Sequence, residues 1–246
     1  MKISIITATF NSERTIADTL VSVVEQSYRN VEHIIVDGGS TDRTLEIVRD
    51  LCRRPNVVIS EPDRGIYDAL NKGVRLATGD VVGFLHSDDF FATNSSLNEI
   101  VEGFESSSAE AVYGDLDYVA FDDPSRVVRR WRSYQCTSRD FRFGWMPPHP
   151  TLYVRREAML RHGLFDDALG ISADYDSIIR LLWVAGLPVF HVKDVLVKMR
   201  MGGISNRSIA SIIRKSREDL MVLKRHGLGG FGTLVCKNVR KISQFV

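Results

Sequence analysis

Short apolar runs alternate with amphipathic segments through the first third of the chain, and this alternation restricts the fold more than any other feature. Lys2 to Ala8, Val31 to Val36, Val57 to Ser60 and Val81 to Leu85 have the length and residue types of buried strands. Between them, helical spacing recurs in Ile16, Leu20, Val23 and Val24, then in Leu45, Ile47, Val48 and Leu51, then across Ile66 to Ala77. Ser12 stands where it can cap the first of these helices. Strands and helices alternating at these lengths predict βαβ units, hence an α/β fold with a mostly parallel sheet flanked by helices. Ligands of such sheets bind beyond the carboxyl ends of the strands. The loops placed there are Thr9–Glu13, Asp37–Asp42, Glu61–Gly65 and His86–Asp89, and they hold most of the unusual polar residues of this half.

The remainder is less regular. Strand-like pieces lie around Tyr113 to Asp117, Val127 to Trp131, Thr151 to Val154 and Val189 to Met199. Trp145-Met-Pro-Pro-His-Pro150 is a proline-stiffened turn, and Arg156 to His162 is a short helix. Ser172 to Asp176 opens a stronger helix that is expected to bury Ile178, Ile179, Leu181, Leu182 and Val184. The 246 residues, 44% hydrophobic and 26% charged, suit a globular protein with a sizeable core. Three scattered cysteines exclude a disulfide framework and point to a reducing compartment. No apolar run reaches membrane-spanning length, and the start is too short for a signal-peptide core, so the body is expected to be cytoplasmic. The net charge of +1 conceals an imbalance. From Lys193 onward twelve Lys/Arg face three Asp/Glu, leaving the preceding part at −8 and the tail at +9.

Several loop residues carry candidate chemistry. Asp88 and Asp89 repel each other at the end of a buried strand, a pairing that suits either a hard divalent cation or a solvated turn. Asp37, followed by two glycines, reads as an acceptor for a base or ribose, or as the acid of its own turn. Arg64, with Gly65, and Lys72 read as diphosphate contacts or as surface charge. Asp174 suits a general base or a helix cap, and His149 a phosphate ligand or a packing residue.

As an ordered set these stretches resemble family 2 glycosyltransferases, inverting enzymes with the Rossmann-like GT-A fold. The carriers are Ile5-Ile-Thr-Ala-Thr-Phe-Asn11, Ile34-Ile-Val-Asp-Gly-Gly-Ser-Thr-Asp42, Glu61-Pro-Asp-Arg-Gly-Ile-Tyr-Asp-Ala-Leu-Asn-Lys-Gly73, Ala77-Thr-Gly-Asp80 and Phe84-Leu-His-Ser-Asp-Asp89. The likeness is dense over residues 2–92 and sparser through Pro148-His-Pro150, Gly163-Leu-Phe-Asp166, Ala173-Asp-Tyr-Asp176 and Gly202-Gly-Ile-Ser205. It implies a GT-A domain over 1–204, with a nucleotide-sugar half to about residue 92 and an acceptor half after it. By that resemblance Thr9, Asn11, Glu13, Asp37, Arg64, Gly65, Lys72 and Asp88 line the nucleotide-sugar site. Asp89 holds Mg²⁺ or Mn²⁺, Asp174 is the base, and His149 and Ser205 lie toward the acceptor or diphosphate. Two departures stand out: Ser87-Asp-Asp89 replaces Asp-x-Asp, and Ala173 stands where an acid often precedes the base.

The resemblance further implies transfer from a nucleotide-diphosphate sugar, a UDP-sugar first, to a lipid-linked or other glycan acceptor in cell-surface polysaccharide synthesis. The branch it most resembles builds exopolysaccharide, O-antigen or colanic-acid-type units. Rival readings are a sugar-phosphate nucleotidyltransferase and a non-catalytic nucleotide-sugar-binding protein. The basic, amphipathic extension over 205–246 suggests helices that lie on an anionic membrane, on the inner face of the cell, or that pack on the body. No nucleic-acid partner is expected.

Overall fold

Residues 1–52, 56–202, 209–241 and 244 are described by a computed structural model. β1 (Ile3–Thr9) is buried at every position, and so is β2 (Val31–Asp37), as central strands of a parallel sheet must be. β1 runs parallel to β2, with Ile3 opposite Val31 and Thr9 opposite Asp37. β3 (Asn56–Ser60) adds to β2, and β4 (Val81–Phe84) to the other side of β1, both parallel. These four strands therefore end at one edge. Beyond β4 the pairing changes. β8 (Tyr153–Arg155) lies antiparallel to β4 and to β6 (Ala111–Val119). β9 (Val189–Arg200) joins β6 in parallel, while β5 (Asp89–Phe91) and β7 (Val127–Trp131) pair antiparallel to β9 and β6. Among the described residues the order is β3-β2-β1-β4-β8-β6-β9-β5, with β7 off that path.

The period of two along each strand sorts the core. Ile35 faces α1 (Ile16–Val24) and α2 (Thr44–Leu51), in a cluster with Ile16, Leu20 and Val48. Ile3 and Ile5 join Leu97, Ile100 and Phe104 of α4 (Ser96–Glu105). On the opposite face, Ile6, Ile34 and Val36 pack under Ala69, Leu70 and Val74 of α3 (Ile66–Leu76). That second face also receives α5 (Ser138–Arg142), α6 (Arg156–Ala158, continuing as a wider turn to Gly163) and α7 (Ala173–Ile178, continuing to Val184).

Two expectations change. Asp89 does not end a loop: it opens β5, opposite Met199, and Phe91 is buried against the α4 cluster. Val184 is 60% exposed, because the helix loosens after Ile178 and its inward face rotates away. Of the two readings of the extension over 205–246, membrane surface or packing on the body, the described residues pack on the body. α8 (Ile209–Arg225) and α9 (Phe231–Val239) place Val222, Leu223, Leu228 and Leu234 in the same core as α7. No helix among the described residues is long and apolar enough to cross a membrane.

Glu32 ties the amino ends of β1, β2 and β4 together. Its carboxylate accepts from Lys2 Nζ (2.5 Å), Ser4 Oγ (2.5 Å) and the Thr78 amide (2.6 Å), Thr78 Oγ1 (2.7 Å) and the Gly79 amide (3.0 Å). Burial alone would raise its pKa, but Lys2, Ser4 and Thr78 outweigh that and bring it from 4.5 to about 2. A depressed folded-state pKa stabilises above the unfolded value, and that stability is lost as pH falls from 4.5 toward about 2. The loss amounts to roughly 3 kcal/mol. Urea unfolding between pH 7 and pH 2 will show this slope, and Glu32→Gln will flatten it while lowering stability at neutral pH.

Candidate active site

At the carboxyl edge the loops after β1 and β2 interlock. Asn11, in the left-handed region at φ 48°, donates its amide to Ser40 Oγ (2.8 Å) and accepts the Thr41 amide on Oδ1 (2.9 Å). Glu13 accepts the Arg43 amide (3.1 Å), and Asp42 accepts the amides of Glu13 and Thr44. Asp37 is fully buried with its carboxylate committed. It accepts from the Gly39 amide (3.1 Å), the Ser40 amide (2.9 Å), Ser40 Oγ (2.5 Å) and Ser60 Oγ (2.7 Å). Asp37 thus builds the loop rather than presenting a free acceptor, the turn-forming role that the sequence left open. Gly38 is confined by Asp63, whose Oδ2 would lie 2.5 Å from an added Cβ, so the third loop abuts the second. Thr9 Oγ1 is buried with no hydrogen-bond partner, and the neighbouring Phe10 is 60% exposed, an aromatic face that the sequence reading did not single out.

Arg64 and Lys72 are not drawn to these loops. Arg64 is paired with Asp167 (2.6 Å) and Asp68 (3.2 Å), and Lys72 with Glu61 (2.8 Å) and Asp68 (3.4 Å). Gly65 has φ 120°, which a side chain would strain, and its amide donates to Asp63 Oδ1 (2.8 Å). As placed, these cations answer local acids.

The acids after β4 behave differently. Asp89 is fully buried, and neither carboxylate oxygen has a hydrogen-bond partner among the described residues. Burial, then the half-buried Asp88 beside it, pushes its pKa well above the ordinary value, against the pull of Arg200. Arg200 is anchored elsewhere, to Asp18 and to the Asp88 carbonyl. A carboxylate left without donors costs several kcal/mol, of the order expected for a group awaiting a counter-charge. A hard divalent cation fits that description. Among the described residues no three His, Cys, Asp or Glu side chains gather to hold one, so two carboxylates would share it with ligand oxygens and water.

The other wall comes from the second half of the chain. His149 stacks at 5.5 Å on Phe84 and at 5.7 Å on His86, with Phe165 edge-on at 5.9 Å. Burial lowers its pKa to about 4, with Asp174 opposing and His86 adding, so its ring is neutral near pH 7 and supplies no charge to a diphosphate. Its buried Nε2 nevertheless lacks a partner. Asp174 lies in the first turn of α7, where its Oδ1 accepts the Tyr175 amide (2.7 Å) and stands 3.5 Å from the Tyr67 hydroxyl. Burial would raise its pKa, but His149, Lys215 and Lys237 with the Tyr175 amide bring it below the ordinary value. It stays ionised at neutral pH. His86 is affected by both Asp88 and Asp174, so the two acids share the neighbourhood of one histidine pair. Ser205 lies outside the described residues.

Sequence reasoning missed what fixes Asp174. Glu218 of α8 accepts the amides of Gly170 (3.3 Å), Ile171 (2.8 Å) and Ser172 (3.0 Å), the three residues that lead into α7. Tyr67 Oη donates to the Ile171 carbonyl (2.6 Å) from the other side. Deeper in, Lys237 of α9 is only 5% exposed. Its Nζ pairs with Asp219 at 2.8 Å and sits 3.2 Å over the Tyr175 ring. Tyr67 was visible within a quoted motif, but a long-range clamp from the tail has no local sequence signal.

Comparison with known proteins supplies the family and the fold. The family model described as glycosyl transferase family 2 matches residues 4–168. The chain belongs to that family. An uncharacterized glycosyltransferase of Mycobacterium tuberculosis is 30% identical over 233 residues, covering 93% of this chain and 86% of that protein. A PGL/p-HBAD biosynthesis glycosyltransferase of Mycobacterium bovis is 36% identical over 214 residues, 82% of this chain and 78% of that one. The fold is similar to S. aureus TarS 1-349 in complex with UDP (TM-score 0.66, 18% identity, 92% of this chain and 72% of that one). It is also similar to the mannosyltransferase PcManGT of Pyrobaculum calidifontis in complex with GDP-Man and Mn²⁺ (TM-score 0.69, 21% identity, 96% and 68%). This family 2 member is a glycosyltransferase of the GT-A fold, and the nucleotidyltransferase and scaffold readings fall away. The matched segment ends before Asp174, so the argument for that residue is geometric.

Removing the Glu218 clamp strands three backbone donors. Glu218→Ala is expected to lower stability by about 2–4 kcal/mol in urea unfolding, and Glu218→Gln, which keeps one acceptor oxygen, by less. An unchanged midpoint for Glu218→Ala would show that the clamp bears no load.

Proposed function

We propose that this glycosyltransferase moves a sugar from a nucleotide-diphosphate donor, a UDP-sugar in the first instance, to a hydroxyl of a glycan acceptor carried on lipid, with inversion at the anomeric carbon. The observation that supports this best is that Asp88 and Asp174 both act on the stacked His86–His149 pair, with unpartnered Asp89 next to Asp88. Asp89 offers buried negative charge wanting a cation. Asp174 offers an ionised carboxylate with no cation in salt-bridge contact among the described residues.

The interlocked loops of Thr9, Asn11, Glu13 and Asp37 form the nucleotide floor, with exposed Phe10 as a face for the base. Thr9 Oγ1 is a hydroxyl still able to bond a ligand. Arg64, Gly65 and Lys72 belong to the neighbouring loop. Arg64, 75% exposed in its side chain, would have to exchange Asp167 for a diphosphate to contribute. Asp89, with Asp88 toward the donor, would hold Mg²⁺ or Mn²⁺. When bound, such an ion neutralises charge on the leaving diphosphate. PcManGT, a structural neighbour, was solved with GDP-Man and Mn²⁺ and TarS with UDP and with UDP-GlcNAc, which favours a nucleotide-sugar donor without choosing the base.

In the transfer, Asp174 takes the proton of the acceptor hydroxyl as that oxygen bonds to the anomeric carbon. The bond from that carbon to the diphosphate oxygen breaks on the opposite face, and the nucleoside diphosphate leaves with the electron pair. Tyr67, Glu218 and the Tyr175 amide fix the orientation of the base. Positioning of this kind converts a bimolecular encounter into a directed step.

The outer surface of the tail supports a membrane location for the acceptor. Phe231, Val235 and Val239 are 72%, 43% and 57% exposed and recur every fourth residue of α9, one side of the helix. Basic residues Arg217, Lys224 and Arg225 stand exposed on α8. An apolar stripe with nearby cations suits the surface of an anionic membrane on its cytoplasmic side.

Two measurements test these readings. With Mn²⁺ and a panel of UDP- and GDP-sugars, Asp174→Asn should lower kcat by about 10²–10⁴-fold with donor KM nearly unchanged. Asp89→Asn should abolish the metal dependence, and intact turnover in either variant would falsify the assignment. For the tail, the variant Phe231→Ser, Val235→Ser, Val239→Ser should no longer cosediment with anionic vesicles that retain the parent protein. Equal binding by both would rule that surface out.

A further inference from the structure

A cavity of about 590 Å³ opens between β7, the turn at Gly144–Met146 and α9, apart from the donor loops. Five cations line it: Arg130, Arg132, Lys237, Arg240 and Lys241. No acid lines it among the described residues. Its apolar walls are Trp131, Tyr134 and Trp145, the flat surfaces on which sugar rings stack.

Four of the five cations are held by partners, and Arg130 stands exposed. Arg240 donates to the Tyr134 hydroxyl (3.1 Å) and Lys241 to Asn238 Oδ1 (3.2 Å), while Arg132 is paired with Asp117 (2.6 Å) and Asp115 (3.5 Å). Lys237 is buried on Asp219. Burial, then repulsion from Lys237 and Lys215, lowers the Lys241 pKa to about 8. Gathering positive groups at this cost is the mark of an anion site whose charge has yet to arrive.

The cavity also adjoins the base. Lys237 lines it while its Nζ rests 3.2 Å over Tyr175, and Lys237 and Asp174 are close enough to alter each other's proton affinity. From Trp145 and Met146 on the cavity wall, the chain runs through two prolines to His149 beside Asp174. Lys237 is thus the link between the cavity and the helix that carries Asp174.

We infer that this cavity is the acceptor subsite, and that it takes a sugar bearing a phosphate or diphosphate, the ring against Trp131, Tyr134 and Trp145 and the anion among the five cations. This rests on the reading of Asp174 as the base, but it is tested by binding alone. Two of the three tryptophans line the cavity, so tryptophan fluorescence reports occupancy. Metal-free full-length protein titrated with inorganic pyrophosphate should show a saturable change. Arg130→Ala with Lys241→Ala should weaken it by roughly tenfold or more, the loss expected for two charge-assisted contacts. The affinity for UDP with Mn²⁺ should stay as in the parent. Arg130→Glu alone, at an exposed position, should act in the same direction and guards against a misfolded double variant.

Two further ligands separate the sources of the phosphate. Tighter binding of a geranyl-diphosphate-linked N-acetylglucosamine than of N-acetylglucosamine 1-phosphate supports a lipid-linked acceptor in this site, and equal binding supports a soluble sugar phosphate. Pyrophosphate binding that ignores both variants, or that falls together with UDP affinity, overturns the proposal. So does a phosphate-free methyl glycoside that binds as tightly as either phosphate. Intact pyrophosphate binding with an active Asp174→Asn enzyme would sink the assignment of the base alone.

Discussion

Two aspartates at the same sheet edge, both removed from water, carry the logic of this molecule. Asp37 receives four hydrogen bonds and Asp89 none from the described residues. The first is a finished structural element, a carboxylate whose desolvation is offset by the turn it builds. The second is a charge without a partner, tolerable in a folded protein only when protonated or when a cation arrives. Parallel strands make this possible, because their carboxyl ends open onto loops that no crossover helix covers. Everything that bears on donor chemistry follows from where β1, β2, β3 and β4 end.

The second half answers a different demand. The proposed base, Asp174, must face the donor in one orientation, yet it sits on a short helical segment that loosens after a turn and a half. The chain steadies it from a distance. Glu218 grips the three amides before the helix, Tyr67 holds a carbonyl from the opposite side, and buried Lys237 seats the ring of Tyr175. α8 and α9 therefore pack into the same core as α7, and their inner surfaces hold the approach to Asp174. Lys237, one of the cations that lower the pKa of Asp174, also lines the neighbouring cavity.

Much of this was legible in the sequence and some could not be. The period-two and helical patterns through the first ninety residues locate β1 to β4 and the loops at their ends, since local spacing and burial coincide there. Asp89 was found as unusual because adjacent acids after an apolar run are costly wherever they fold. The strand it opens was not read, because three residues carry no period and β5 exists only by pairing with distant β9. Asp37 and Asp42 look alike as letters, and only the donors around each show that both carboxylates are used locally. Arg64 and Lys72 match a motif, yet their nearest charges are acids of their own surroundings. Glu218, from another helix, could be assigned to Asp174 only once the chain had closed.

The central claim is that a single carboxylate, Asp174, drives the acceptor onto the anomeric carbon from the face opposite the leaving diphosphate. The anomeric configuration of the product tests this most directly, read by NMR from the coupling at the transferred sugar after reaction with an α-linked nucleotide donor. The account predicts a β-linked product. An α-linked product would contradict it.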